Sequence, residues 1–173
     1  MFCLKPYISI VLLTAILMGC TFFGPEANNF EELLTQLYSK TVPLIEADSL
    51  KALMISEKPI ILDTRELAEY QRSHLPGAIY AGYSDFSLEA VKPLLGSERP
   101  VVVYCSVGYR SERIGEKLLR TKRKNVYNLY GGIFEWVNEG KLIVNMQEEP
   151  TDTVHAYSPK WDKWLTKGIK VYD

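Results

Sequence analysis

The chain has 173 residues, 47% of them hydrophobic and 24% charged, with a formal net charge of −1. That length suits one compact domain with some additional sequence, and the apolar content excludes intrinsic disorder. Twenty Lys and Arg against 21 Asp and Glu lack the cationic excess of a nucleic-acid binder, so no nucleic acid is expected as a partner.

Residues 1–20 read MFCLKPYISIVLLTAILMGC. Lys5 gives a short basic start, and Tyr7 to Met18 form an apolar run with the length of a signal-peptide core, too short to span a bilayer. The run ends in Leu17-Met18-Gly19-Cys20, which resembles the bacterial lipobox. That resemblance implies a lipoprotein signal peptide over residues 1–19, lipidation at Cys20 and a tether through residue 29. It places the protein in the bacterial cell envelope, exported and held on a membrane surface through Cys20. Of the three cysteines, Cys3 leaves with the signal and Cys20 takes lipid. Cys105 remains alone, and a lone thiol in an oxidising compartment is either buried or chemically employed.

The body of the chain is expected over residues 30–144. Asn29 followed three residues later by Glu32 reads as a capping box, opening a helix with Leu33, Leu34, Leu37 and Tyr38 on one face. Residues 42–45 form a brief strand that Pro43 confines to an edge. Asp48 or Ser49 caps a second helix carrying Leu50, Leu53 and Met54. Ile60-Ile61-Leu62 is a continuous apolar run ending at Asp63, the pattern of a strand buried on both faces. A short helix over residues 66–72, a turn at His74-Leu75-Pro76-Gly77 and a strand over 78–81 follow. Residues 87–95 read as a helix with Leu88, Val91 and Leu95 inward.

Val101-Val102-Val103-Tyr104 is the second fully buried strand and runs directly into Cys105. A helix over 111–120 carries Ile114, Leu118 and Leu119, and the cations around its end, Lys117 to Lys124, suit the helix dipole and solvent. A strand over 126–129, the Gly131-Gly132 turn and a helix over 134–138 complete the pattern. Strands alternating with helices predict an α/β fold, a mostly parallel central sheet of five strands with helices on both faces. Residues 145–173 form a polar extension. Ser158-Pro159 starts a short helix bearing Trp161, Trp164 and Leu165, and Gly168 ends it.

Ligands of open α/β sheets collect beyond the carboxyl ends of the strands, where Cys105 stands. Gly108 permits a tight arc with positive φ, and a helix begins shortly after. Successive amides of Ser106, Val107, Gly108, Tyr109 and Arg110 can then turn toward the sulfur, with the helix dipole behind them. Such a cradle favours the thiolate, and Arg110 adds positive charge. Asp63 ends a neighbouring strand and orients Arg65, which is expected to pair with Glu69. His74 reads as a hydrogen-bonded structural imidazole, and Tyr109 as a residue of the pocket mouth. The two His and the one remaining Cys lack ligand spacing, so neither a metal nor another cofactor is expected.

The stretch from Val42 to Ile143 resembles the rhodanese family of sulfurtransferases, and four segments carry the likeness. They are Ile61-Leu62-Asp63-Thr64-Arg65-Glu66 with Glu69-Tyr70, Ser73-His74-Leu75-Pro76-Gly77-Ala78, the active loop Cys105-Ser106-Val107-Gly108-Tyr109-Arg110-Ser111, and Gly131-Gly132-Ile133-Phe134-Glu135-Trp136. The resemblance implies a double displacement. Cys105 takes a sulfane sulfur from thiosulfate or a persulfide or polysulfide donor and passes it to a thiol acceptor, small or protein-borne, or to cyanide. Residues 106–110 cradle the persulfide, and Asp63, Arg65 and Ser111 support the loop. Two other readings compete. One is a module that binds persulfide or a partner without useful turnover. The other is a cysteine-dependent phosphatase or arsenate reductase, whose loops hold one more residue between Cys and Arg than the four found here.

Overall fold

The computed structural model describes residues 27–172. The proposed signal segment, Cys20 and most of the tether lie outside the described residues. In chain order the elements are α1 (Phe30–Leu37), β1 (Leu44–Ile45), α2 (Ala47–Ser56), β2 (Ile60–Asp63), α3 (Leu67–Arg72), β3 (Ile79–Tyr80), α4 (Leu88–Val91), β4 (Val101–Tyr104), α5 (Tyr109–Leu119), β5 (Val126–Leu129) and α6 (Gly132–Asn138). Four short strands follow: β6 (Ile143–Val144), β7 (Pro150–Thr151), β8 (Thr153–His155) and β9 (Ile169–Val171).

The central sheet has five strands in the order β1-β5-β4-β2-β3, every pair parallel. The α/β architecture is the one the sequence predicts. In β2 and β4 every residue is buried, and the two-residue period of a strand sorts their side chains onto opposite faces. Ile61, Val102 and Tyr104 join a core with Leu33, Leu34, Leu50, Ile133 and Phe134. Ile60, Leu62, Val101 and Val103 join a second core with Val91, Ile114 and Leu118. The continuous apolar runs are continuous because each face of the sheet has its own helices to satisfy.

Several boundaries differ from the sequence reading, each for a local reason. The segment after Ser87 is one turn of α-helix followed by a 3-10 helix, Lys92–Gly96, with Pro93 at its start; proline removes an amide donor and breaks the α-helical ladder. Helix α2 starts at Ala47, with Glu46 rather than Asp48 or Ser49 at its N-cap. Helix α5 starts at Tyr109, directly after Gly108. Tyr109 and Arg110 therefore belong to its first turn and not to a loop.

The extension is not the expected tryptophan-bearing α-helix. Only a 3-10 turn, Asp162–Trp164, forms there, and Gly168, at φ +87, turns the chain into β9. Strands β6 and β7 pair antiparallel, β8 and β9 parallel. Val154, Ala156, Trp164 and Leu165 join the first core, and the Trp164 ring stacks on Phe30 with centroids 5.9 Å apart. Residues beyond 144 thus pack as part of the domain. Among the described residues, no helix is long and apolar enough to cross a membrane.

Candidate active site

Cys105 follows the last residue of β4 and is 1% exposed. The Gly108 amide donates to its Sγ at 3.1 Å. The carbonyls of residues 105–108 are all engaged by neighbouring elements. Cys105 and Ser106 oxygens accept from the Ile133 and Phe134 amides at 2.9 and 3.1 Å. The Val107 oxygen accepts from Tyr38 Oη at 2.8 Å, and the Gly108 oxygen accepts from Asn128 Nδ2 at 2.9 Å. A peptide unit whose oxygen is fixed outward turns its neighbouring N–H groups inward, and the first-turn amides of α5 have no intrahelical carbonyl to meet. The Gly108 amide is the main-chain donor that this arrangement places on the sulfur, the start of an anion-binding nest.

Two glycines make this packing possible. Gly108 has φ +94, and a Cβ there would stand 2.2 Å from Tyr38 Oη. Gly132 has φ +58, and its Cβ would stand 2.3 Å from the Cys105 carbonyl oxygen. The start of α6 thus presses its backbone directly onto the active loop. Tyr38 locks the same region from the other side, since its hydroxyl also accepts from the Gly131 amide at 2.9 Å. Burial pushes the Tyr38 phenol far up, with the nearby Cys105 and acidic charges adding to it while the Gly131 hydrogen bond opposes; it remains a donor.

The expected pairing of Arg65 with Glu69 is not what forms. Arg65 binds Asp63 instead, through Nε and Nη2 to both carboxylate oxygens, the shortest contact being 2.6 Å. A backbone bond from the Arg65 amide to Asp63 Oδ1 at 2.9 Å makes this a local chelate that Glu69, a turn farther along, does not match. Nη2 also donates to the Ser73 carbonyl at 2.6 Å. Burial works against the Arg65 charge, but Asp63 outweighs it and holds the guanidinium protonated.

Glu69, in α3, is bound instead to the active loop. Its oxygens receive Arg110 Nη1 at 2.7 Å and Nη2 at 2.8 Å, and Ser106 Oγ at 2.9 Å. Burial alone would raise the Glu69 carboxyl; the Arg110 hydrogen bonds and the charges of Arg110 and Arg65 reverse that and hold it below the usual range. Arg110 is desolvated too, and Glu69 together with the Cys105 sulfur keeps it charged. Arg110 therefore does not aim its guanidinium freely into the site. Tyr109, at 43% exposure, stands on the surface with Arg113 against its ring at 5.4 Å.

Asp63 is fully buried beneath the site, joined to Tyr104 Oη at 2.6 Å and to Arg65. Ser111 Oγ donates to Asn128 Oδ1 at 2.7 Å, orienting the amide that holds the Gly108 carbonyl. His74 bonds the Tyr70 carbonyl through Nδ1 at 3.1 Å and stacks on the Tyr70 ring, a structural imidazole as read from sequence. The cations beyond α5 are not all solvated: Arg123 donates to the carbonyls of Leu95, Ser97 and Arg99. Asn128 and Tyr38 escaped the sequence reading. Asn128 had one signal, a polar residue inside an otherwise buried strand; Tyr38 had none beyond its place on an apolar helix face. Among the described residues, no group of His, Cys, Asp and Glu could hold a metal ion.

A buried thiol at the carboxyl end of a central parallel strand, with the Gly108 amide donating to it and the Glu69–Arg110 ion pair on the same loop, defines a cysteine-centred α/β domain. The chain belongs to the rhodanese-like domain family, whose profile matches residues 46–139. It is 33% identical over 147 residues to the tRNA uridine(34) hydroxylase of Streptococcus thermophilus (strain ATCC BAA-491 / LMD-9), which covers 77% of this chain and 44% of that protein. The chain spans under half the length of such curated relatives. Among solved structures, the thiosulfate sulfurtransferase of Pseudomonas aeruginosa superposes with a TM-score of 0.56 at 26% identity, over 73% of this chain and 24% of that one. The rhodanese-like domain of an Anabaena protein superposes at 0.55, with 23% identity, over 62% of this chain and 82% of that one; it shares the fold.

Proposed function

We propose that the protein is a sulfurtransferase working through a Cys105 persulfide. The thiolate attacks the outer sulfur of a sulfane donor, thiosulfate or a persulfide or polysulfide. A sulfur–sulfur bond forms on Cys105 as the donor's breaks, and the donor remnant leaves with the bonding electron pair. A thiol acceptor or cyanide then attacks the outer sulfur, and Cys105 departs as thiolate. The observation that carries this reading is the Gly108 amide on Sγ at 3.1 Å, inside a loop whose carbonyls at 105–108 are held by neighbouring elements. Fixed dipoles aimed at a charge that moves from one sulfur to the next lower the barrier without reorganising. The name of the Pseudomonas relative agrees with this chemistry. The phosphatase reading fares worse, because a phosphoryl group needs the arginine that Glu69 and Ser106 already occupy.

Treatment with thiosulfate and, separately, with an alkyl hydropersulfide is expected to add one sulfur atom to the intact mass. Cyanide is expected to remove it, and turnover to thiocyanate separates catalysis from mere persulfide binding. No added sulfur from either donor would overturn the assignment.

The lipobox-like end of the leader, Leu17 to Cys20, supports a further proposal, export and attachment to a membrane surface of the cell envelope through lipid on Cys20. In a bacterial host, an alkyne-tagged fatty acid is expected to label the protein, and Cys20→Ser to lose both the label and membrane partition. Equal labelling of the variant would remove Cys20 from consideration.

A further inference from the structure

We propose that the site draws its sulfur from a low-charge organic hydropersulfide in preference to the thiosulfate dianion, an inference that rests on the sulfur-transfer reading and narrows its donor. Arg110 is the single cationic residue from Cys105 to Ser111, and its charge is already consumed. Both of its terminal nitrogens are on Glu69, and Nη2 also donates to Ser106 Oγ at 3.0 Å. Glu66 stands 4.0 Å from Nη1 as a second carboxylate. Arg65, the next guanidinium, is fully buried and bound to Asp63. Two carboxylates thus face one guanidinium beside the thiolate, and a dianionic donor approaches net negative charge in a poorly solvated place.

What covers Arg110 is an aromatic ring. The extension delivers Tyr157, whose ring lies 4.9 Å over Arg110 Cζ, leaving that side chain 12% exposed. Tyr157 is 48% exposed and Tyr109, preceding Arg110 in the chain, is 43% exposed. Tyr157 also holds φ +64, a conformation uncommon for a bulky residue. Buried Ala156 before it and a hydrogen bond from the Tyr157 amide to His155 Nδ1 at 3.1 Å fix it there. Strain of this kind collects at functional positions. With R–S–SH as donor, Cys105 takes the terminal sulfur together with its proton and the leaving group is R–S⁻, a single charge. With thiosulfate the leaving group is sulfite, a dianion, and the one cation of the Cys105–Ser111 loop is already engaged by Glu69.

The test times persulfide formation on Cys105 of the full chain by intact mass, with thiosulfate and with benzyl hydropersulfide. Each rate is divided by that of the same donor with N-acetylcysteine, so that intrinsic reactivity cancels. The corrected rate is expected to favour benzyl hydropersulfide by at least about tenfold, the scale of repulsion between a dianion and one uncompensated charge at close range. Tyr157→Gly keeps the backbone, because glycine takes φ +64 without strain, and is expected to shrink the preference by at least about threefold through loss of the ring's close packing on Arg110. Tyr157→Phe, which keeps the ring, is expected to retain it. Thiosulfate reacting as readily as the hydropersulfide would overturn the inference, as would a preference unmoved by Tyr157→Gly or lost equally in Tyr157→Phe. Absence of any persulfide is a separate result and sinks the sulfur-transfer reading itself.

Discussion

Replacing Cys105 by serine is expected to lower steady-state sulfur transfer by at least about a thousandfold, because the nucleophile of a covalent mechanism has no substitute in the site. Cys105 is the free thiol among the described residues, so no neighbouring sulfur can take over. A serine hydroxyl is not ionised near neutrality and forms no stable analogue of a persulfide. The fold should survive the change. The Gly108 amide that donates to Sγ can donate to Oγ, and the outward hydrogen bonds of the loop involve the backbone of Cys105 and not its side chain. A cost near 1 kcal/mol corresponds to a melting shift within about 4 °C for a chain of this size. Cyanolysis assays beside thermal melts check both halves. A serine variant retaining a tenth or more of the wild-type rate would show that the sulfur passes through some other group.

The parts of the molecule legible in the sequence are those whose physics is local. Ile60-Ile61-Leu62 and Val101-Val102-Val103-Tyr104 read as buried strands because a parallel sheet with helices on both faces permits no polar side. The Gly108 arc is legible because an L residue would need both a positive φ and the space held by Tyr38. Arg65 and Arg110 are less legible. Glu69 lies four residues from Arg65 in the chain, which makes the pair look natural. The Asp63 carboxylate wins because it also caps the Arg65 amide, and the short helix α3 turns Glu69 toward the active loop. The extension is the least legible part. Strands of two or three residues such as β7, β8 and β9 carry no measurable period, and a parallel pairing between residues 153–155 and 169–171 depends on the surface beneath it. Tyr157, which reaches the active-site clamp from there, leaves no trace in local pattern.

The second large effect concerns the foundation under the site and not the sulfur chemistry. Asp63→Ala is expected to cost about 3–5 kcal/mol, the range for deleting one partner of a buried ion pair. Asp63 and Arg65 are both 0% exposed, and Asp63 accepts from Tyr104 Oη as well as from Arg65. Burial, then the Asp63 charge, pushes the Tyr104 phenol well above its usual value, so that hydroxyl is a protonated donor in the native state. Removing the carboxylate leaves a guanidinium without its counter-ion, with Nη1 already lacking a partner, and a phenol without its acceptor. At about 2–4 °C per kcal/mol, the melting temperature should fall by about 6–20 °C. Tyr104→Phe should cost less, about 1–2 kcal/mol, since it removes a donor and leaves the ion pair intact. A double variant, Asp63→Leu with Arg65→Met, is expected to lose less than Asp63→Ala alone, because an apolar pair of similar volume leaves no stranded charge. Loss in the double variant equal to or greater than in Asp63→Ala would mean that the pair stabilises by shape and not by cancelling charge. Asp63 sits opposite Tyr104 in the β2–β4 register, one residue before Cys105, so the same substitution should also loosen the loop. Sulfur transfer in Asp63→Ala is therefore expected to fall at temperatures well below its melt, while the double variant recovers stability more fully than rate.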